Sequence, residues 1–277
     1  MPDLGGAGQS ERWARLRKLG ADLSTIGILA ILLLAVNVLP PDTSLADLQK
    51  AGVLRVCVPA AYPPLVTGEP AAPGFDIELV QKLATSLGVR LELSTNPAMG
   101  RDFNPRSWRV ARAQCAMLVG GVVTSALTRS FLDVSPSYLR TGWSVVSKSP
   151  LEGLSGLTVG FFPGLTGLDR IALSRQMRSG EVKVRLYQGT DLLATAISSG
   201  EVDAGLTEAL SADQLAVSHG WHARMLPPPL EQYGISLGLW RGDLTLKRRV
   251  SEILGALHAD GEMQALAAKY GIASELE

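Results

Sequence analysis

The 277-residue chain has only two cysteines, three histidines and 5% aromatic residues. Two cysteines are too few for a scaffold built on disulfides, and they form no C-x-x-C pair of the zinc-binding kind. Excess charge is also missing, since 26 Lys and Arg face 26 Asp and Glu. A domain that grips duplex nucleic acid needs a basic surplus, so nucleic acid is excluded as the main partner. At 19% charged residues, the chain fits neither a coiled coil nor a disordered acidic tail. No repeat of 20 to 50 residues and no low-complexity segment is visible. What is present is 46% hydrophobic content, enough for one large domain or two small ones with proper cores.

The N-terminus separates from the rest by its pattern. Arg12, Arg15, Arg17 and Lys18 precede residues 23–39, an uncharged run containing ILAILLLAV. A basic stretch followed by an apolar one is a secretory signal or a signal anchor. The run is at the short end of what spans a bilayer. Pro40-Pro41 ends it, and Ser44-Leu45-Ala46 supplies a small-x-small cleavage pattern. The cationic flank places the N-terminal end in the cytoplasm and everything after residue 40 outside. That part carries 22 cationic and 23 anionic side chains. It is expected to be a near-neutral periplasmic or otherwise extracytoplasmic domain, anchored to the inner membrane by residues 23–39 if the segment is not cleaved.

Strand and helix patterns alternate through the exported part. Residues 53–59 (VLRVCVP) form a short β-branched run that predicts a buried strand. Residues 76–87 (DIELVQKLATSL) place Ile77, Val80, Leu83, Ala84 and Leu87 on one helical face, with Gly88 as the stop. Strands are expected at 89–93, 115–123 and 141–146, then a polar joint at 147–150. The pattern restarts with strands at 157–161, 182–187 and 202–206, and helices at 169–177, 191–199 and 211–218. A strand at 234–240 and a long helical stretch at 244–270 close the chain. Such alternation implies two α/β lobes whose parallel sheets carry helices on both faces.

Several local motifs have an uneventful alternative. Gly234-Ile235-Ser236-Leu237-Gly238 fits G-x-S-x-G, but the following LWRGD continues the strand where a nucleophile elbow needs a sharp turn into a helix. His219 and His222 have no third metal ligand nearby in sequence and fit a solvated helix end. Residues 160–167 (GFFPGLTG) lack the lysine of a phosphate loop. They form either a plain turn or a strand-to-helix turn whose N–H groups receive a carboxylate.

From Ser44 onward the chain resembles the extracytoplasmic solute-binding proteins of the amino-acid-binding type, bacterial family 3. The resemblance is carried, in order, by SLADLQKAGVLRVCV, AAYPPL and GFDIELVQKLATSLGVRLEL. It continues through SPSYLRTGWSVVSK, LSGLTVGFFPGLTG, ISSGEVDAGLTE, GLWRGD and LGALHADGEMQALAAKYGI. It implies a two-lobe type II periplasmic-binding-protein fold, preceded by the N-terminal signal or anchor. The expected parts are 1–46 as leader, 47–146 with 236–277 as lobe one, and 147–235 as lobe two. The two lobes would close over a small solute at the hinge.

The resemblance also implies ligand residues. Arg129 lies in the segment where the family's arginine forks onto the solute carboxylate, a task suited to a planar, bidentate guanidinium. Here Thr-Pro-Glu-Arg reads Ala126-Leu127-Thr128-Arg129, and the spacing to Asp133 is one residue short. Glu208 falls where the family often has an aspartate for the ammonium group. Tyr62 is either an aromatic wall beside the solute or a turn residue before Pro63-Pro64. Thr166 either donates to the carboxylate or caps a helix. No cofactor, metal or catalysis is implied. The partners expected are an amino acid or related organic acid and the membrane subunits of an ABC importer. The other reading is an accessory protein of a periplasmic quinoprotein dehydrogenase on the same fold. Finally, the first and third strands of such a sheet are neighbours, and export exposes thiols to an oxidising compartment. Cys57 and Cys115 are therefore expected to form a disulfide.

Overall fold

A computed structural model describes residues 27–31, 41–99, 105–163, 168–272 and 275–276. The chain divides into a unit of residues 1–42 and a compact unit of residues 43–277. In the first unit, residues 27–31 are helical, and the rest of the expected anchor lies outside the described residues. Among the described residues no helix is long and apolar enough to cross a membrane.

The second unit begins with α1 (Ser44–Ala51), β1 (Val53–Val58), α2 (Phe75–Leu87), β2 (Arg90–Thr95) and β3 (Met117–Val123). Next come α3 (Ala126–Arg129), β4 (Asp133–Val134), β5 (Leu139–Thr141), β6 (Trp143–Ser147) and β7 (Thr158–Phe161). The chain continues with α4 (Arg170–Ser179), β8 (Lys183–Leu186), α5 (Thr190–Ser199), β9 (Ala204–Glu208) and α6 (Ala209–His219). It ends with β10 (His222–Met225), β11 (Tyr233–Leu239), α7 (Leu244–Ala259) and α8 (Glu262–Lys269). The long helical stretch expected at 244–270 is thus two helices, because Gly261 takes a left-handed φ of 76° between them.

Two sheets carry the two lobes. The first has the order β2-β1-β3-β11-β4, with β5 also pairing β11, and the second has β10-β6-β9-β7-β8. Both are mixed rather than parallel. β11 runs antiparallel to β3, and β6 runs antiparallel to β9. Each of these strands enters its sheet directly from the other lobe, without the helical crossover that a parallel neighbour requires.

Strand pairing also moves the expected lobe boundaries. β6 pairs with β9 and β10, so residues 143–147 belong to lobe two and the first crossing is at Gly142. Tyr233, Gly234 and Ile235 pair with β5, so the return crossing ends before 233 instead of at 235. The residues expected at the leader boundary are helical. Ser44 opens α1, is 9% exposed, and accepts the Leu246 N–H at 3.3 Å. Cleavage after Ala46 would cut within that helix.

Side-chain alternation along the strands supplies two faces in lobe one. Leu54, Val56 and Val58 join α2, α7 and α8 in the main core. Cys57 and Leu118 point the other way, toward Met99, Trp108 and Val110. Helices were expected on both faces, but no helix covers this second one within the described part of 96–115. Its N-P-A, N-P-R and V-A-R-A-Q pieces show no helical apolar period. The Cys57–Cys115 disulfide, with Cα atoms 5.6 Å apart, fastens the end of that segment to β1. Lobe two is conventional by comparison. α4 covers one face of its sheet, and α5 and α6 cover the other.

The bridge closes a loop of 58 residues. In the chain-entropy account such a loop is worth about 4 kcal/mol. Reduction, or the Cys57→Ala/Cys115→Ala double variant, should lower the unfolding free energy by about 2 to 4 kcal/mol in a urea titration. An unchanged midpoint would contradict this account of the helix-free face.

Candidate functional site

Tyr62 and Arg129 come after the carboxyl ends of β1 and β3, and Glu208 is the last residue of β9. In open α/β sheets this edge forms the ligand crevice. Thr166 lies outside the described residues.

Tyr62 sits in the turn after β1, its N–H donating to the Val66 carbonyl at 2.6 Å. The ring is 6% exposed and lies on Gly121, where an added Cβ would stand 2.5 Å from Cε1. Gly120 and Gly121 have φ of 95° and 82°, so only glycine fits this close approach without strain. Their N–H groups donate to Asp76 Oδ2 at 2.7 and 3.3 Å, and the Tyr138 hydroxyl donates to Oδ1 at 2.7 Å. Asp76, in the first turn of α2, is fully buried. Burial pushes its pKa from 3.8 up to about 6, against the pull of those three hydrogen bonds.

Glu208 ends β9 and caps α6. It accepts the Leu210 and Ser211 N–H groups at 3.0 and 3.2 Å, together with the Thr141 hydroxyl. Thr141 belongs to β5, in the lobe-one sheet, so this last bond crosses the hinge. Glu208 is 1% exposed. Burial raises its pKa, and Asp213 adds to the rise, while the three donors oppose it. Glu275 approaches the same hinge from the C-terminus, beside the Leu139–Leu276 bridge. Its carboxyl is pushed up to about 7 by burial, then by Asp213 and Glu208, with Arg140 opposing.

Tyr62 and Glu208 are thus brought together. The Tyr62 hydroxyl is held well above its ordinary pKa by burial, then by the charges of Glu208 and Asp76. Arg129 stands apart. The single turn of α3 directs Thr128 inward and Arg129 to solvent. The Arg129 charge acts on Asp133, which also accepts the Lys247 ammonium at 2.6 Å.

The other motifs resolve into structural roles. Ser236 is buried in the middle of β11, where its hydroxyl meets that of Thr124 at 2.7 Å. His219 stacks on Trp221 with centroids 4.4 Å apart. Asp76 was the residue that motif reading left without a role. It lies in the quoted GFDIEL, and a carboxylate flanked directly by Phe75 and Ile77 was its signal.

The profile of the bacterial extracellular solute-binding proteins, family 3, matches residues 54–273. The chain belongs to that family. Among curated relatives, the L-cystine-binding protein TcyJ of Escherichia coli (strain K12) is 26% identical over 257 residues, covering 88% of this chain and 93% of the relative. Two solved structures share the fold. A polar amino acid ABC uptake transporter substrate-binding protein from Streptococcus thermophilus matches with a TM-score of 0.68 at 19% identity, over 83% of this chain and 90% of the other. An ABC uptake transporter substrate-binding protein from Streptococcus pneumoniae with bound histidine gives 0.58 at 16%, over 83% and 96%. The dehydrogenase-accessory reading gains no support from these matches.

For this family 3 protein the Asp76 cluster has a measurable consequence. Its folded pKa lies above the unfolded value of 3.8, so the folded state binds the proton more tightly. That contribution to stability is complete below about pH 4 and is lost as pH rises through 6. The unfolding free energy of the wild type relative to Asp76→Asn should therefore fall by about 3 kcal/mol between roughly pH 3 and 7. A pH-independent difference in parallel urea titrations would contradict the assignment.

Proposed function

We propose that the protein captures a small amino acid or related organic acid between its lobes and presents it to the membrane subunits of an ABC importer. It does so outside the cytoplasmic membrane, by binding and without catalysis. The reading rests chiefly on one observation. Glu208, at the end of a lobe-two strand, accepts the Thr141 hydroxyl of lobe one across the hinge, and Tyr62 of lobe one lies near enough to feel its charge. The amino acids named for the relatives point to the same solute class.

In this reading Glu208 receives the solute's ammonium group, and Tyr62 lies beside its body. Arg129, exposed on α3 at the carboxyl edge of β3, takes the carboxylate, and Thr166 lends a hydroxyl from the turn after β7. Closure follows from charge. Asp76 and Glu208 concentrate negative potential around Tyr62, so a cationic group gains most when both lobes surround it. Arg129 contributes the opposite sign from the rim of lobe one.

A thermal-shift screen of amino acids and dicarboxylates identifies the solute, since saturation at about 100 times Kd adds about 2.7 kcal/mol. Calorimetry with that solute then tests the residues. Arg129→Ala and Glu208→Gln should each weaken binding by about 2 to 5 kcal/mol, because each leaves an opposite charge unmatched in a closed cleft. Arg129→Lys should weaken it nearly as much, since it keeps the charge but loses the planar fork. Full affinity in Arg129→Ala would remove the carboxylate role from that residue.

A further inference from the structure

We infer that lobe two holds a second binding site, in the groove between α4 and β8, for a small carboxylate with an apolar body. The groove arises from incomplete coverage of the sheet. α4 connects the parallel neighbours β7 and β8, and its Leu173 and Met177 are buried in the same core as Val159 and Leu206. β8, the edge strand, stays exposed along its whole length, with Val184 43% exposed. Between helix and strand lies a cavity of about 310 Å³. That is at the small end of ligand pockets, which start at about 300 Å³.

The lining divides by chemistry. Leu173, Met177, Val184 and Leu206 offer apolar surface, while Arg170 and Arg178 lie along the helix side. Ser174 stands midway between the two arginines, so the three form one row down α4, about 12 Å from end to end. Among the described residues neither guanidinium makes an ion pair with a carboxylate. Of the nearby acids, Asp169 caps α4 through the Ile171 and Ala172 N–H groups and Glu201 pairs with Arg185 at 3.0 Å, while Glu181, in the turn after α4, is exposed. From Arg170 to Arg185 the chain carries five cations and one carboxylate, although its net charge is zero. Two fork-shaped donors flanking a hydroxyl recognise a carboxylate. The apolar floor then removes its hydrocarbon body from water. An amine of the same shape would meet two cations along the helix side. None of Tyr62, Arg129 or Glu208 lines this groove, so it is a separate site.

The probe is octanoate, followed by calorimetry on the full chain, with octylamine as the matched cation. Octanoate should bind saturably at one equivalent, and octylamine should not bind. The exposed pair Arg170→Gln/Arg178→Gln should lose about tenfold to a hundredfold in affinity, the loss expected when hydrogen bonds to a charged group are removed. Val184→Glu, which sets a carboxylate on the groove floor, should weaken octanoate as well. Glu208→Gln should leave octanoate binding unchanged. The proposal fails if octanoate does not bind, or binds the double arginine variant as well as the wild type. It also fails if Glu208→Gln abolishes binding, which would place octanoate in the interlobe cleft. Binding to phosphatidylglycerol vesicles without binding to free octanoate would assign the arginines to a lipid surface and overturn it too.

Discussion

The carboxylate of Asp76 ties together three stretches of lobe one that are far apart in sequence: the start of α2, Gly120-Gly121 within β3 and Tyr138 before β5. Because it is fully buried, each of those donors must stay in place, since an unmatched buried charge costs more than its pairing gains. The two glycine N–H groups can face Asp76 only at positive φ, and that backbone leaves the space in which the Tyr62 ring lies. The position of Tyr62 at the crevice edge is therefore a consequence of the Asp76 network. The hinge inherits the same constraint, because Tyr138 precedes the strand that carries Thr141.

Lobe coupling combines hydrogen bonds with packing, since Leu210 of α6 is buried in the lobe-one core. The chain crosses at Gly142 and again between β10 and β11, and the Thr141 hydroxyl reaches Glu208 beside the first crossing. Glu208 also caps α6, so a disturbance at the hinge is carried directly into a lobe-two helix. Glu275 brings another carboxylate to this place from the C-terminus. The hinge thus gathers carboxyl groups, with Arg140 the cation acting on Glu275.

The two lobes differ in how their second faces are covered. Lobe two uses α5 and α6, whose Leu193, Ile197 and Leu215 pack against Val146. Lobe one uses a segment fixed by Trp108, Met99 and the disulfide. A helix buries a stripe of side chains while satisfying its own backbone, whereas an irregular segment must find other partners for its amides. Here Asn96 Nδ2 donates to the Trp108 carbonyl, and the Trp240 indole donates to the Cys115 carbonyl. A covalent link adds what regular hydrogen bonding does not supply in that segment.

Local pattern was sufficient to place most elements in the sequence. β-Branched runs such as VLRVCV and the apolar face of 76–87 declare strand and helix because their periods of 2 and 3.6 are written in neighbouring residues. The family profile and the solved folds agree with the two-lobe architecture read from that order. Ordered motifs likewise put Tyr62, Arg129 and Glu208 at strand ends. Other features depend on residues distant in sequence. The assignment of 143–147 to lobe two depends on pairing with 204–208 and 222–225, which no local period records. The burial of Asp76 depends on glycines 44 and 45 residues away. The outward turn of Arg129 follows from Ser125 capping α3, which sends Thr128 to the interior. Sequence by itself determined which segments are strands and helices, because those follow from short-range periodicity, while the place of the crevice was implied by the resemblance to family 3. Only the tertiary structure decided which charges meet there, because burial and hydrogen-bond partners are set by chain segments brought together in folding.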